Sequence, residues 1–304
     1  MENSKVRMRE TKMKLGRQRD WVWRGWQIRY TYLRGKGEGK PPIVLIHGFG
    51  AAIAHWRHNL PILKENHTVY ALDLLGFGAS RKAFTDYSIE LWAEQVYQFW
   101  RTVIGVPTIF MGNSLGSLVS LTAVARHPEM GKKLILINLP DVSARSEMLS
   151  PPIQKVVSGV ESFFAAPWLL RGLFSILKSP KVIRRWAKLA YPQVSALDEE
   201  LVTILSTPPR DQFAADAFVA LARSALSRNF SPSVKALLSN LELPILLLWG
   251  EQDKFIPPSL ARSFVGINPN LELIMLPNLG HCPHDEAPEQ FHEVILPWLA
   301  NKQG

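Results

Sequence analysis

The run Thr108-Ile109-Phe110-Met111-Gly112-Asn113-Ser114-Leu115-Gly116-Ser117 decides the fold. Residues 108–111 are apolar or β-branched and read as a buried strand. Residues 118–125, Leu-Val-Ser-Leu-Thr-Ala-Val-Ala, read as a helix. Between them stands G-x-S-x-G, in the strand–turn–helix setting that gives this pattern chemical meaning. So tight a turn forces its middle residue into strained dihedrals, and a side chain two positions before or after would strike the neighbouring strand or helix. Glycine at 112 and 116 relieves that crowding, and Ser114 Oγ is lifted at the carboxyl edge of the sheet. Taken alone, the pentapeptide also fits an ordinary Gly/Ser-rich turn.

Working outward, residues 21–33 alternate aromatic and polar side chains around Gly25 and read as a hairpin or two edge strands. Residues 42–46 are continuously apolar, the pattern of a strand buried on both faces, and end in His47-Gly48-Phe49-Gly50. A strand over 68–72 is closed by Asp73-Leu74-Leu75-Gly76-Phe77-Gly78-Ala79-Ser80. Ser88 is placed to cap a helix whose apolar positions are Ile89, Trp92, Val96, Phe99 and Val103. Another strand covers 133–139. Strands alternating with helices, each strand apolar throughout, predict an α/β fold with a mostly parallel sheet covered by helices.

From 140 to 242 the alternation stops. Helical stretches separated by prolines take over at 153–164, 168–178, 181–189, 198–206 and 211–227. We read this insertion as a helical cap. The α/β pattern resumes with a strand at 244–249, a helix near 258–265, a strand at 271–276 and a closing helix from Pro288. The expected organisation is a basic arm over 1–20, a core made of 21–139 and 243–304, and the cap over 140–242.

A serine hydroxyl is a weak nucleophile at neutral pH; it needs a base, and the base needs an orienting acid. Two later strand ends supply them. Asp253 follows the strand at 244–249 in Gly250-Glu251-Gln252-Asp253, and His281 follows the strand at 271–276 in Pro277-Asn278-Leu279-Gly280-His281. The order Ser114…Asp253…His281 is that of a serine-hydrolase triad on such a sheet. Glu251 and Asp141 are the alternative acids and His284 the alternative base. Cys282 reads as a buried, inert thiol, and His281, His284 and Asp285 lack the further ligands a metal site would need. An oxyanion hole would pair the N–H of Leu115 with that of Phe49; Phe49 and Asn113 are also candidates to contact substrate. No metal or organic cofactor is called for.

Composition bounds the rest. A chain of 304 residues with 47% apolar and 20% charged residues fits one large α/β domain with an insertion. No apolar run approaches the roughly 18–20 residues of a spanning helix. The single cysteine excludes an intrachain disulfide and fits a reducing compartment. Of the +9 net charge most sits in residues 1–40, with 12 Lys/Arg against 4 Asp/Glu. That segment has no apolar h-region, so the chain is expected on the cytoplasmic side rather than secreted, soluble or peripheral at a membrane. The arm reads as solvated and able to touch anionic lipid, and no nucleic-acid-binding module is visible.

The motifs His47-Gly48-Phe49-Gly50, Asp73 to Ser80, Gly112 to Gly116, Trp249 to Asp253, and Gly280-His281-Cys282-Pro283 with Glu286-Ala287-Pro288 resemble those of the α/β-hydrolase superfamily. The resemblance spans residues 21–300. It implies an eight-stranded sheet, the nucleophile, acid and base named above, and an ester hydrolase. Within the superfamily the Asp-Leu-Leu-Gly-Phe-Gly stretch, Gly-Asn-Ser-Leu-Gly-Ser and the Trp-rich opening strands look most like the branch of pheophytinase and chlorophyll dephytylase. That likeness implies the phytyl ester of a chlorophyll-type pigment as substrate and a thylakoid location. Dehalogenases and epoxide hydrolases of this superfamily use Asp where Ser114 stands. Meta-cleavage-product hydrolases share Gly-Asn-Ser, but their glycine-rich oxyanion loop is absent after His47-Gly48 and Cys282 replaces their Trp. The alternatives are such a carbon–carbon hydrolase, or a ligand-binding receptor of the same fold with little turnover.

The cap stretch 168–192 combines Trp168, Leu173, Ile176, Trp186 and Leu189 with six cations and no Asp or Glu. A basic amphipathic stretch suits an anionic membrane surface; it equally suits a cap packing its apolar face on the core.

Overall fold

Every residue of Ile43–Ile46, Thr108–Asn113 and Ile245–Gly250 is buried, as a sheet covered by helices on both faces requires. The computed structural model describes residues 15–37, 39–142, 166–227 and 229–301. Its strands are β1 (Arg17–Trp23), β2 (Trp26–Leu33), β3 (Ile43–Ile46), β4 (Val69–Leu72), β5 (Thr108–Asn113), β6 (Gly131–Ile137), β7 (Ile245–Gly250) and β8 (Leu271–Leu276). They form one eight-stranded sheet in the order β1-β2-β4-β3-β5-β6-β7-β8. β2 pairs antiparallel with both β1 and β4; the remaining pairs are parallel.

Side chains alternate between two cores, as the two-residue period of a strand dictates. Val44, Ile46, Phe110, Leu134 and Leu136 face α1 (Ile89–Phe99) and α2 (Leu115–Arg126). Ile43, Leu45, Ile109, Met111 and Ile135 face the other way, onto Ile53, Trp56, Leu60 and the closing helix Pro288–Ala300. Each such fully buried aliphatic side chain contributes about 1.5–3 kcal/mol. Ser88 caps α1 through its side chain, accepting from Leu91 N–H at 3.1 Å.

The chain leaves β3 for β4 on one side and returns to β5 on the other. A crevice opens where neighbouring connections diverge, at the carboxyl ends of β3 and β5. The His47–Gly50 loop and Ser114 stand there.

Over this edge lie α3 (Pro167–Leu177), α4 (Pro180–Ala190), α5 (Glu199–Ser206) and α6 (Ala214–Ser224). Asp198 caps α5, accepting from Leu201 N–H at 2.7 Å. Three boundaries differ from the sequence reading. β1 begins at Arg17, not after residue 20. Arg17–Asp20 pair with Tyr32 through Arg29, and Asp20 is held by Arg29 and Gln27; an edge strand so polar shows no alternation to read. The helix expected over 211–227 is shorter, because Phe213 is left-handed at φ 67° and separates a turn at Pro208–Arg210 from α6. The helix Val234–Ser239 buries Val234 and Leu238 in the main core rather than in the cap. The helix expected over 153–164 lies outside the described residues.

Candidate active site

Ser114 joins β5 to α2 at φ 52°, ψ −117°. A non-glycine residue in that region is strained, and the surrounding packing enforces it. A Cβ at Gly112 would lie 2.2 Å from the Gly116 carbonyl, and one at Gly116 would lie 2.1 Å from Ile46 O. The two glycines are therefore required by close backbone approach, as the sequence pattern anticipates. Ser114 N–H donates to Ile137 O at 2.8 Å, pinning the turn to β6.

Asp253 and His281 meet at the loops that follow β7 and β8. His281 Nδ1 lies 2.8 Å from Asp253 Oδ2, leaving Nε2 as the ring nitrogen for a proton exchange with serine. Asp253 also accepts from Asn138 Nδ2 at 2.6 Å and from the N–H groups of Phe255 and Ile256 at 2.7 and 3.0 Å. Burial pushes its carboxyl up, but the hydrogen bond and positive charge of His281, with the Ile256 and Asn138 donors, outweigh burial and hold it below the usual 3.8. Neither Asp141 nor Glu251 takes this position. Glu251 is exposed.

Ser114 and His281 line one cavity of about 580 Å³ between the sheet edge and the cap. Phe49, Phe77, Phe174, Leu177, Phe218 and Phe255 supply much of its apolar wall. Phe49 stands at its mouth, 59% exposed, packed edge-on against Phe77. Leu115 is the first residue of α2, where helical geometry leaves the N–H without an intrahelical acceptor. Asn113 also lines the cavity, and its Nδ2 donates to His281 O at 2.9 Å. A Cβ at Gly48 would lie 2.9 Å from Asn113 Oδ1, so Gly48 makes room for that side chain. Buried His47 accepts from Leu74 N–H through Nε2 at 3.1 Å, which leaves Nδ1–H to donate to Gly48 O at 2.7 Å. It thereby braces the loop that carries Phe49.

Several residues at the site carry no sequence signal. Asn138, left-handed at φ 49°, becomes a partner of Asp253 only when β6 and β7 lie side by side. We expect Asn138→Gly, which keeps that backbone conformation, to lower kcat about tenfold with KM little changed. A hydrogen bond to a charged group is worth roughly 1.5–3 kcal/mol, and water entering the vacated space restores part of it. Steady-state kinetics on a soluble ester checks this.

Cap and core are stitched together behind His281. Its N–H donates to Ala190 O at 2.8 Å. Tyr191 OH donates to Asp285 Oδ2 at 2.8 Å and lies 2.6 Å from His55 Nε2. Gln193 N–H and Gly280 N–H both donate to Glu286, at 2.8 and 2.7 Å. Arg57, itself buried, donates to Asp285 Oδ1 at 2.5 Å. On the far side Lys82 Nζ donates to Gly78 O at 2.5 Å and Ser80 O at 3.0 Å, and reaches Asp211 of the cap at 3.2 Å. Cys282 is buried against the site, and burial drives its thiol well above its ordinary value, which keeps it protonated.

His284 is fully buried, packed on Trp56 and His55, rather than a partner of Ser114. Burial pushes the imidazoles of His47, His55 and His284 below the ordinary 6.5. The unfolded chain takes up protons there as pH falls through 6.5, whereas the folded chain resists. Their contribution to stability is therefore complete above 6.5 and is lost as pH falls, at up to about 1.4 kcal/mol per pH unit for each histidine. Burial raises the carboxyls of Asp73 and Asp285 above 3.8, which works in the opposite sense as pH rises through their folded values. Urea midpoints at pH 7.5, 6.5 and 5.5 should fall in that order; a midpoint that holds to 5.5 would contradict neutral buried imidazoles.

The family model described as "alpha/beta hydrolase fold" matches residues 41–288. The chain is 25% identical over 273 residues to an uncharacterised hydrolase, YugF, of Bacillus subtilis, covering 90% of this chain and 94% of that one. It is 24% identical over 301 residues to the chloroplastic pheophytinase of Arabidopsis thaliana, covering 87% of this chain and 62% of that one. Among solved structures it resembles a bacterial membrane phospholipase A with TM-score 0.75 and 27% identity, covering 98% of this chain and 91% of that one. With the eight-stranded sheet and the serine elbow already in place, the match over most of the chain means that it belongs to the alpha/beta hydrolase fold family.

Proposed function

We propose that this protein is a serine carboxylester hydrolase that works through an acyl-enzyme on a long apolar ester. The observation that carries the reading is Ser114 on its strained elbow, facing an apolar cavity whose wall also holds His281 on Asp253. His281 Nε2 takes the proton of Ser114 Oγ as Oγ bonds to the ester carbonyl carbon. The N–H groups of Phe49 and Leu115 receive the oxyanion, each such donor being worth about 3–4 kcal/mol. His281 then protonates the departing alkoxide as the C–O bond breaks. In the second half His281 removes a proton from water, the resulting hydroxide attacks the acyl carbon, and the proton returns to Oγ. Asp253 holds the imidazole tautomer and balances its transient charge. Serine in place of aspartate at 114 speaks against an alkyl-enzyme route of the epoxide-hydrolase kind.

A cavity so apolar favours a lipid-like chain on at least one side of the ester. The phytyl ester of a chlorophyll-type pigment is the specific substrate suggested by the motifs shared with the pheophytinase branch, and the likeness to a membrane phospholipase A supports a lipid ester more generally. The test is hydrolysis of para-nitrophenyl esters from C2 to C16, with chlorophyll a, pheophytin a and phosphatidylcholine in detergent. We expect kcat/KM to rise several-fold for each added pair of methylenes until the cavity is filled, each buried methylene being worth up to about 0.8 kcal/mol. Free phytol from the pigments identifies the substrate. Turnover restricted to C2–C4 removes the long-chain reading. Absence of turnover with ligand-induced thermal stabilisation would instead mean a receptor, and cleavage of dienoic ketones but not esters a carbon–carbon hydrolase.

A further inference from the structure

We propose that the outer face of α3 and α4 docks on an anionic lipid bilayer and that the cavity takes its ester from there through the rim formed by Trp186 and Phe255. Delivery of substrate rests on the ester-hydrolase reading; the docking itself does not.

Two short helices expose an unusual set of large apolar side chains. Trp168 is 72% exposed, Ile176 61% and Trp186 51%, with Leu173 and Leu189 exposed beside them. A helix face turned to water carries polar residues. The face is also strongly cationic: Arg171, Lys178, Lys181, Arg184, Arg185 and Lys188 are joined by no Asp or Glu between 167 and 197. Arg171 pairs with Asp216 and Arg184 with Glu199, both from neighbouring helices. Lys178, Lys181, Arg185 and Lys188 are exposed. Apolar side chains that enter the acyl boundary, bordered by cations that meet headgroup phosphates, are what an interfacial helix needs. The charge selects an anionic bilayer over a neutral one.

The same face borders the cavity. Trp186 stacks on Phe255 with ring centroids 6.3 Å apart, and Phe255 meets His281 edge-on at 5.3 Å. Both aromatics are partly exposed while lining the cavity, as is Lys178. An acyl or isoprenoid chain rising from the bilayer therefore meets an aromatic pair one ring away from the candidate base.

The experiment is cosedimentation of the full-length chain with sucrose-loaded vesicles of 30% phosphatidylglycerol in phosphatidylcholine and of phosphatidylcholine alone, at low and high salt. The expected result is binding to the anionic vesicles, weakened steeply by salt. The triple variant Lys181→Glu/Arg185→Glu/Lys188→Glu should lose at least about 100-fold in partition coefficient, and Trp168→Ala should weaken the salt-resistant remainder. Neither variant touches the cavity lining, so hydrolysis of soluble para-nitrophenyl butyrate should stay at the wild-type rate. Equal binding to neutral vesicles, or a triple variant that sediments like the wild type, overturns the proposal; the latter would locate binding elsewhere, for example in the basic arm. A concentration-dependent dimer abolished by the triple variant would also overturn it, because the face would then belong to a second copy. If sedimentation behaves as expected while no ester is hydrolysed, docking stands and the ester reading falls.

Discussion

Ser114→Ala should reduce ester turnover at least ~10⁴-fold while leaving the fold intact. On the proposed mechanism the variant removes the atom that would form the acyl bond, and keeps Asp253, His281 and the backbone donors. Alanine adopts the elbow with the same strain as serine, since both carry a Cβ at φ 52°. Thermal melting should therefore move by no more than about 2 °C, because a surface-level change of about 0.5 kcal/mol shifts a chain of this size by that little. Rapid-quench measurement separates the steps: the wild type should release a stoichiometric burst of para-nitrophenol, and the variant none. Burst kinetics retained without Ser114 Oγ would refute the acyl-enzyme scheme.

The second large effect concerns stability. Asp285→Ala should cost about 3 kcal/mol, because it leaves a buried guanidinium with only the partly exposed Glu200 carboxylate, 3.8 Å from Nε, to balance it. Arg57 and Asp285 are both essentially inaccessible, and Asp285 also receives Tyr191 OH. Burial alone would push the Asp285 carboxyl up; Arg57 and the Tyr191 hydroxyl pull it back. With the Asp285 carboxylate gone, Arg57 keeps a buried charge whose remaining partner, Glu200, is the more distant and more exposed of the two. Arg57→Met/Asp285→Leu should recover most of the loss, since an apolar pair of similar volume dispenses with both desolvated charges. Urea unfolding of the two variants gives the comparison. A single variant within about 1 kcal/mol of wild type would mean that water already reaches this pair.

Much of the architecture was legible in the sequence because it depends on local chemistry. Gly112 and Gly116 answer to a steric demand that is met within a few residues. The apolar runs at β3, β5, β6 and β7 mark strands buried on both faces wherever they occur in a chain. Ser114, Asp253 and His281 could be aligned because each follows a strand end, and parallel strands bring their carboxyl ends to one edge. Asn138, Lys82, Tyr191 and Asp285 were not legible, since the contacts that define their roles reach partners 94 to 228 positions away. His284, the alternative base in the sequence, has its ring enclosed by Trp56, His55 and Phe291. A polar edge strand and a left-handed Phe213 likewise moved boundaries that periodicity cannot place.

The strap at 190–193 has a consequence for how the cap can evolve and move. Three of its groups hold the His281 loop: Ala190 O, Tyr191 OH through Asp285, and Gln193 N–H through Glu286. The cap and His281 are thus joined directly on that side, while on the opposite side the Lys82–Asp211 pair at 3.2 Å, the Tyr87 N–H bond to Ser224 Oγ at 2.9 Å and the packing of Ala220 and Leu221 in the main core hold α6. A displacement of α4 would carry the His281 loop with it, like a door whose hinge pins also carry the lock. Grafting another cap onto this core for a different substrate would succeed only where the junction after α4 is kept, because cutting there would alter the placement of His281 along with the shape of the pocket.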